Sequence, residues 1–487
     1  MPGNAVLEDA MLFNSIQFFV FFLAVYTLYL ALGHKKQNLM LLVASYVFYG
    51  AWDWRFLSLI AISTVLDFVC ARKIDETEDV RRRKLFLTLS VAGNLLILGF
   101  FKYYDFFAQN LQALLGRFGV AADARFLEII LPVGISFYTF QTMSYTIDVY
   151  RGEMRSTDRF LDFALFVAFF PQLVAGPIER AKRLLPQVLS PRPRPTLQSF
   201  SEGAFLIFWG LFQKVFIADN LANLVDPVFA ADPPYHGAHV LVALYAFAFQ
   251  ILCDFAGYSN IARGLGRCLG FDIMVNFNAP YSAANPSEFW KRWHISLSSW
   301  LRDYLYIGLG GNRRGAARTY RNLIITMLLG GLWHGAQWTF ILWGAYHGAL
   351  LVLYRLARPV FSSEPDFPRG ARAGAIWRAL RVAFFFHLVC VGWLIFRADS
   401  VDQIGAMLRA LFLAFPTDGA IVRHYLLQMA FFLPLLFVVE ASQRRTGDAA
   451  APLRWPAAAR WALYLVMFYS IMLCGEFGDR QFIYFQF

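Results

Sequence analysis

Apolar residues fall in long runs separated by short polar stretches, near 12–32, 38–51, 56–71, 85–101, 127–149, 160–178, 203–218, 239–258, 323–354, 382–396, 403–415, 424–440 and 459–474. Such runs predict helices that cross a membrane, because a helix satisfies its own backbone polar groups where no water can. Several are shorter than the roughly 20 residues of a full span. Tilted, broken or re-entrant helices are therefore expected, and these are tolerated only where protein or a water-filled cavity surrounds them.

The run 323–354 is the most informative. A continuous helix of 32 residues would be about 48 Å long at 1.5 Å per residue, well beyond a hydrocarbon core of about 30 Å, whereas two legs of about 24 Å would enter and return. The pattern thus predicts a hairpin with His334 near its apex, in the middle of the bilayer, and Gly330, Gly331 and Gly335 supplying the freedom for the bend.

Composition fixes the class. Hydrophobic residues make up 58 % and charged residues 16 %, far below the roughly 25 % charge of soluble domains, so the chain reads as an all-α polytopic membrane protein. One domain over 1–487 is expected, with 1–10 as an N-terminal extension, since Met11 could itself be the start. Glu8 and Asp9 stand where a signal peptide would be basic. The net charge of +11 lies in short loops, where it sets orientation and meets anionic lipid; it is no nucleic-acid signal. Loops rich in Lys and Arg at 34–36, 72–84, 180–194, 291–321, 355–381 and 444–460 are assigned to the cytoplasm. The segments 219–236, 103–126, 397–423 and the tail 475–487 then face outward, provided 160–178 and 323–354 each enter and return.

The segment 261–321 is assigned to the cytoplasmic face or the membrane interface. Within it Trp293, Leu297, Trp300, Leu301 and Tyr304 recur at helical spacing beside Lys291, Arg292 and Arg302, as in a helix lying at the interface. Ser287 stands at its start, with no acidic capping-box partner. His294 rides on this helix, and its plain reading is an interfacial residue with no chemistry.

Eight histidines invite a metal, but neither they nor the five cysteines show a metal spacing. There is no Gly-x-Ser-x-Gly elbow, and Gly308-Leu-Gly-Gly-Asn lacks the Lys and Ser/Thr of a phosphate loop. The cysteines read as packing residues. A histidine inside an apolar run is either a functional group or a bridge between helices. Burial keeps imidazole neutral, and neutral imidazole can take a proton from a hydroxyl, which suits acyl transfer. His334 and His347 are separated by about 220° on an ideal helix, so they take different roles, with His347 the better candidate for a structural one.

Trp290-Lys-Arg-Trp-His-Ile-Ser-Leu-Ser-Ser-Trp-Leu-Arg-Asp-Tyr-Leu-Tyr, Trp333-His-Gly-Ala and Trp343-Gly-Ala-Tyr-His-Gly occur in that order. With Met11-Leu-Phe-Asn-Ser, Phe169-Phe-Pro-Gln-Leu-Val-Ala-Gly-Pro-Ile, Cys253-Asp-Phe-Ala-Gly-Tyr-Ser-Asn-Ile-Ala and Phe482-Ile-Tyr-Phe-Gln-Phe, they resemble the membrane-bound O-acyltransferase superfamily, in its bacterial alginate O-acetyltransferase-like branch. The resemblance implies a ring of tilted and broken helices around a thinned centre with funnels from both faces. It implies an enzyme of the bacterial inner membrane that moves acetyl from cytoplasmic acetyl-CoA, with no metal, toward O-acetylation of an exported polysaccharide such as alginate. Peptidoglycan, cellulose, another exopolysaccharide, or D-alanyl transfer to teichoic acid are the rival acceptors and chemistries. The partners implied are a secreted SGNH-hydrolase-like acetyltransferase, the polysaccharide export machinery and membrane lipid.

The family's invariant histidine falls on His334 and its second motif position on His294. Tyr484, in a terminus similar to the tyrosine motif of the small subunit of teichoic-acid D-alanylation, is either an acyl relay or an interfacial aromatic anchor. Asp254 and Tyr258, four apart, either line the thioester funnel or tie one helix to the next. Arg302 and Arg313 meet either the phosphates of coenzyme A or lipid headgroups. A transporter or flippase, with buried histidines along a translocation path, is the alternative of another class; no internal repeat of the kind transporters show is visible.

Overall fold

A computed structural model describes residues 11–120, 127, 129–361, 371–415, 419–477, 480, 482 and 483. Among them there is no strand. Seven helices are long and apolar enough to cross a membrane, from His34–Asp75 to Ala457–Cys474, and the pair Gly419–Phe432 and Pro434–Thr446 passes the same test with a 45° bend. Most of the predicted runs are therefore helical; 38–51 and 56–71 fall in the one helix His34–Asp75, among the described residues only 135–149 of the run 127–149 is helical, and 424–440 is broken. Large apolar side chains such as Leu23, Phe384, Trp461 and Leu473 point outward. That pattern suits lipid as the surrounding solvent.

The run 160–178 is also interrupted: a helix Phe160–Ala168 gives way at Phe169 to the short turn of helix Phe170–Leu173 and then to irregular chain. Four of the five cysteines are buried, and Cys474 is exposed.

The chain clusters into two compact units, Met1–Phe208 with Tyr258–Met274, and Trp209–Gly257 with Val275–Phe487. In the first, helices are joined by buried polar groups: the Asp67 carboxylate accepts from Ser90, from Asn94 Nδ2 at 2.8 Å and from Thr146 Oγ1 at 3.1 Å. Such bonds hold helices together where apolar contact gives no advantage over lipid. Tyr258 stacks on Phe13 at 4.4 Å between ring centroids.

The second unit carries His294, His334 and His347. Its central feature is the pair of helices Ala316–His334 and Trp338–Phe361, interrupted over Gly335–Gln337. A Cβ on Gly331 would collide with the Phe340 carbonyl, and one on Gly344 with the Met327 carbonyl. The legs therefore run antiparallel, at a separation that only glycine permits. The run is thus a helical hairpin with His334 at the break, but its legs of 19 and 24 residues are longer than the two of about 24 Å expected, and Trp338–Ala357 is by itself long and apolar enough to cross a membrane.

Candidate active site

His334 is the last residue of its helix, and the chain then becomes extended at Gly335. The imidazole is 4 % exposed. Trp333, Trp343 and Phe396 meet it edge-on at centroid distances of 5.1, 5.0 and 5.4 Å. These rings exclude water from the imidazole.

The segment around His294 departs from expectation. The continuous interfacial helix over 288–307 is replaced by a short helix Pro286–Trp290, a second one Ile295–Trp300 and a wider-wound turn Leu301–Tyr306. His294 lies at the break, with φ 42° and ψ 55°. The cause is Asn276. Its backbone carbonyl accepts the Ile295 N–H at 2.8 Å, and its side-chain oxygen accepts the N–H and the hydroxyl of Ser296 at 3.2 and 2.9 Å. Those N–H groups would otherwise have continued the helix.

The apolar stripe of Trp293, Leu297, Trp300 and Leu301 is buried in protein, so this is no surface-lying helix. The helix start is corrected too. Asn285, not Ser287, caps it by accepting the Glu288 N–H at 2.9 Å, and the Glu288 carboxylate accepts the Ala284 N–H at 3.0 Å.

His294 itself is fully buried. Its Nδ1 lies 3.1 Å from the Asn276 amide oxygen, an acceptor, so the proton sits on Nδ1 and Nε2 carries the lone pair. Burial pushes this imidazole down to about 3 from 6.5, which keeps it neutral at any physiological pH. The Phe255 ring meets it at 4.6 Å, and the His334 ring is 6.4 Å away, centroid to centroid. His294 therefore does not lie at a membrane interface: the tertiary structure buries its ring beside that of His334, edge-on.

His347 is a ring further on. Trp343 lies between the two, 5.0 Å from His334 and 4.8 Å from His347. His347 is wholly buried against Phe289 and Trp290, and neither of its ring nitrogens has a hydrogen-bond partner among the described residues.

The remaining residues singled out from sequence scatter. Asp254 binds Lys214 Nζ at 2.7 Å and accepts the Ile483 N–H at 2.8 Å. Arg302 is paired with Asp303 at 2.7 Å on a largely exposed side chain, leaving N–H groups for a phosphate. Arg313 lies in the exposed turn that follows. Tyr484 lies outside the described residues. Among the described residues no three His, Cys, Asp or Glu side chains converge as metal ligands.

Sequence reasoning missed Asn276 and Lys214. Lys214 carried a usable signal, an ionisable residue inside an apolar run, which implies a buried partner. Asn276 carried none.

Two buried imidazoles in an aromatic pocket can abstract a hydroxyl proton and hold an acyl donor beside it. Residues 153–396, which hold both histidines and parts of both units, match the membrane-bound O-acyltransferase family. The chain belongs to that family. It is 47 % identical over 407 residues to the probable alginate O-acetylase AlgI of Azotobacter vinelandii, covering 82 % of this chain and 78 % of that one. It is 35 % identical over 438 residues to the peptidoglycan O-acetyltransferase of Helicobacter pylori, covering 82 % and 80 %. To the teichoic acid D-alanyltransferase of Streptococcus thermophilus it is 32 % identical over 233 residues, covering 45 % and 56 %. As a family member it is a multi-pass membrane O-acyltransferase. Acyl transfer by these relatives leaves the non-catalytic carrier reading without support.

Proposed function

We propose that this enzyme moves acetyl from cytoplasmic acetyl-CoA across the inner membrane for O-acetylation of an exported polysaccharide, with alginate as the best-supported acceptor. The carrying observation is the meeting of His294 and His334, from separate elements, in a pocket walled by aromatic rings. The 47 % identity to an alginate O-acetylase supports the acceptor.

His334 acts as general base. It takes the acceptor hydroxyl proton as that oxygen bonds to the thioester carbonyl carbon; the C–S bond then breaks, and the imidazolium returns its proton to the departing thiolate. His294, neutral and fixed by Asn276, orients the acyl donor. The N–H groups of Arg302 and Arg313 suit the phosphates of coenzyme A. The phenol of Tyr484 is the first acceptor and yields the acetyl to a secreted SGNH-hydrolase-like acetyltransferase working with the export machinery. The similarity to a peptidoglycan O-acetyltransferase favours peptidoglycan as the second reading of the final acceptor.

The test supplies labelled acetyl-CoA to inside-out and right-side-out membrane vesicles. Label should enter acceptor only when the thioester meets the cytoplasmic face, and not in His334→Gln. A C-terminal peptide heavier by one acetyl, absent in Tyr484→Phe, is expected; an unmodified terminus during turnover would remove the relay.

A further inference from the structure

Six charged or amide side chains in the apolar helices of the second unit, Lys214, Asp219, Asn220, Asn223, Asp226 and Asp254, gather near residues 474–483, and the acyl-transfer step uses none of them. Lys214 lies in the wide-wound segment Phe212–Ala218, where a π-type turn disturbs the regular carbonyl ladder. Its ammonium sits 2.7 Å from Asp219 and 2.7 Å from Asp254, all three side chains being less than a tenth exposed. A buried carboxylate needs donors on both oxygens. Lys214 supplies one to Asp254, and the second oxygen takes the backbone N–H of Ile483 at 2.8 Å.

The chain before Ile483 is tied along the same helix. Asn220 donates to the Cys474 carbonyl at 2.7 Å, the Glu476 N–H donates to the Val215 carbonyl at 3.1 Å, and Arg480 reaches Asn223 and Asp226. The Val215 carbonyl belongs to the wide-wound segment. Phe482 then packs at 5.5 Å on Phe255, whose ring also meets His294 at 4.6 Å.

We propose that the Lys214–Asp219–Asp254 cluster is a positioning clamp that seats the C-terminal strap, through its described residues 475–477, 480, 482 and 483, beside the two-histidine site. The strap supplies the last hydrogen bond the buried cluster needs, and Phe482 in return braces Phe255 against His294. Lys214, Asp219 and Asp254 are positioning residues. The inference rests on the reading of His294 and His334 as the reacting site.

The test uses the full-length membrane protein and two readouts. In a Cys474→Ser background, a thiol introduced by Ile483→Cys should react slowly with a maleimide, and about tenfold faster when Asp254→Ala is added, as expected if roughly 1.4 kcal/mol of seating is lost. Separately, beside an Ile483→Ala control that loses the side chain but keeps the N–H, Ile483→Pro removes the bonding N–H. It should lower kcat about tenfold, as a small misplacement at a reacting centre does, with KM for acetyl-CoA within about twofold. Asp254→Asn, which keeps an acceptor for Ile483, should retain more kcat than Asp254→Ala. Equal labelling in both backgrounds, or wild-type kcat in Ile483→Pro, overturns the clamp while leaving the histidine site intact. Full activity in His334→Ala would instead remove the site, whatever the labelling shows.

Discussion

The two histidines reach one pocket by opposite means. His334 ends a regular helix, and its place is set by apolar packing: glycines let the return leg in, and tryptophans close around the ring. His294 sits where a helix is broken, in a left-handed conformation, and polar bonds from Asn276 set its place. One support is a scaffold that tolerates small side-chain changes and fails by overpacking. The other is a directional pin that fails when a donor or acceptor is removed.

The largest effect should come from removing the base. His334→Ala should cost about 10³ in kcat, within the usual range for positioned acid–base groups, at unchanged membrane levels and with acyl transfer as the readout. A loss below about tenfold would make the two histidines equivalent and erase the contrast.

His294→Ala should cost less, about 10² in kcat, and His294→Asn only about tenfold, because Asn tolerates the left-handed backbone and keeps a polar tip. If Asn and Ala variants were alike, the pin would not matter. The hairpin side is tested by Gly331→Ala, which forces a methyl against the Phe340 carbonyl and should destabilise by about 1–3 kcal/mol. A thermal midpoint equal to that of wild type would show that the legs are not closely packed.

The smallest effect is electrostatic. The fold lowers the His294 pKa from 6.5 to about 3, so the unfolded chain binds the proton first. Stability from the neutral ring is complete above about 6.5 and falls on acidification toward 3. The thermal midpoint of wild type should drop faster between pH 6.5 and 5 than that of His294→Asn; parallel slopes would mean that this ring titrates normally.

How much of the site could be read beforehand divides along the same line. The hairpin followed from counting, since a 32-residue apolar run is too long for one crossing, although of its glycines only Gly335 sits at the bend while Gly331 lets the legs pack closely. His294 was misplaced because the spacing of Trp293, Leu297, Trp300 and Leu301 is helical, and local periodicity carries no record of an Asn276 that intercepts two helical N–H groups. The partner of Asp254 was missed because a backbone N–H near the chain end leaves no mark in side-chain spacing.

The sequence by itself determined that this is a helical membrane protein with an acyltransferase's motifs, because hydrophobic run length and residue spacing along one helix are local quantities. Only the tertiary structure decided that His294 breaks its helix beside His334, and that Lys214 joins Asp219 to the Asp254 that holds Ile483. Those outcomes depend on hydrogen bonds and ion pairs between residues far apart in the chain. Such bonds are strong enough in a water-poor interior to override the preference of the local backbone.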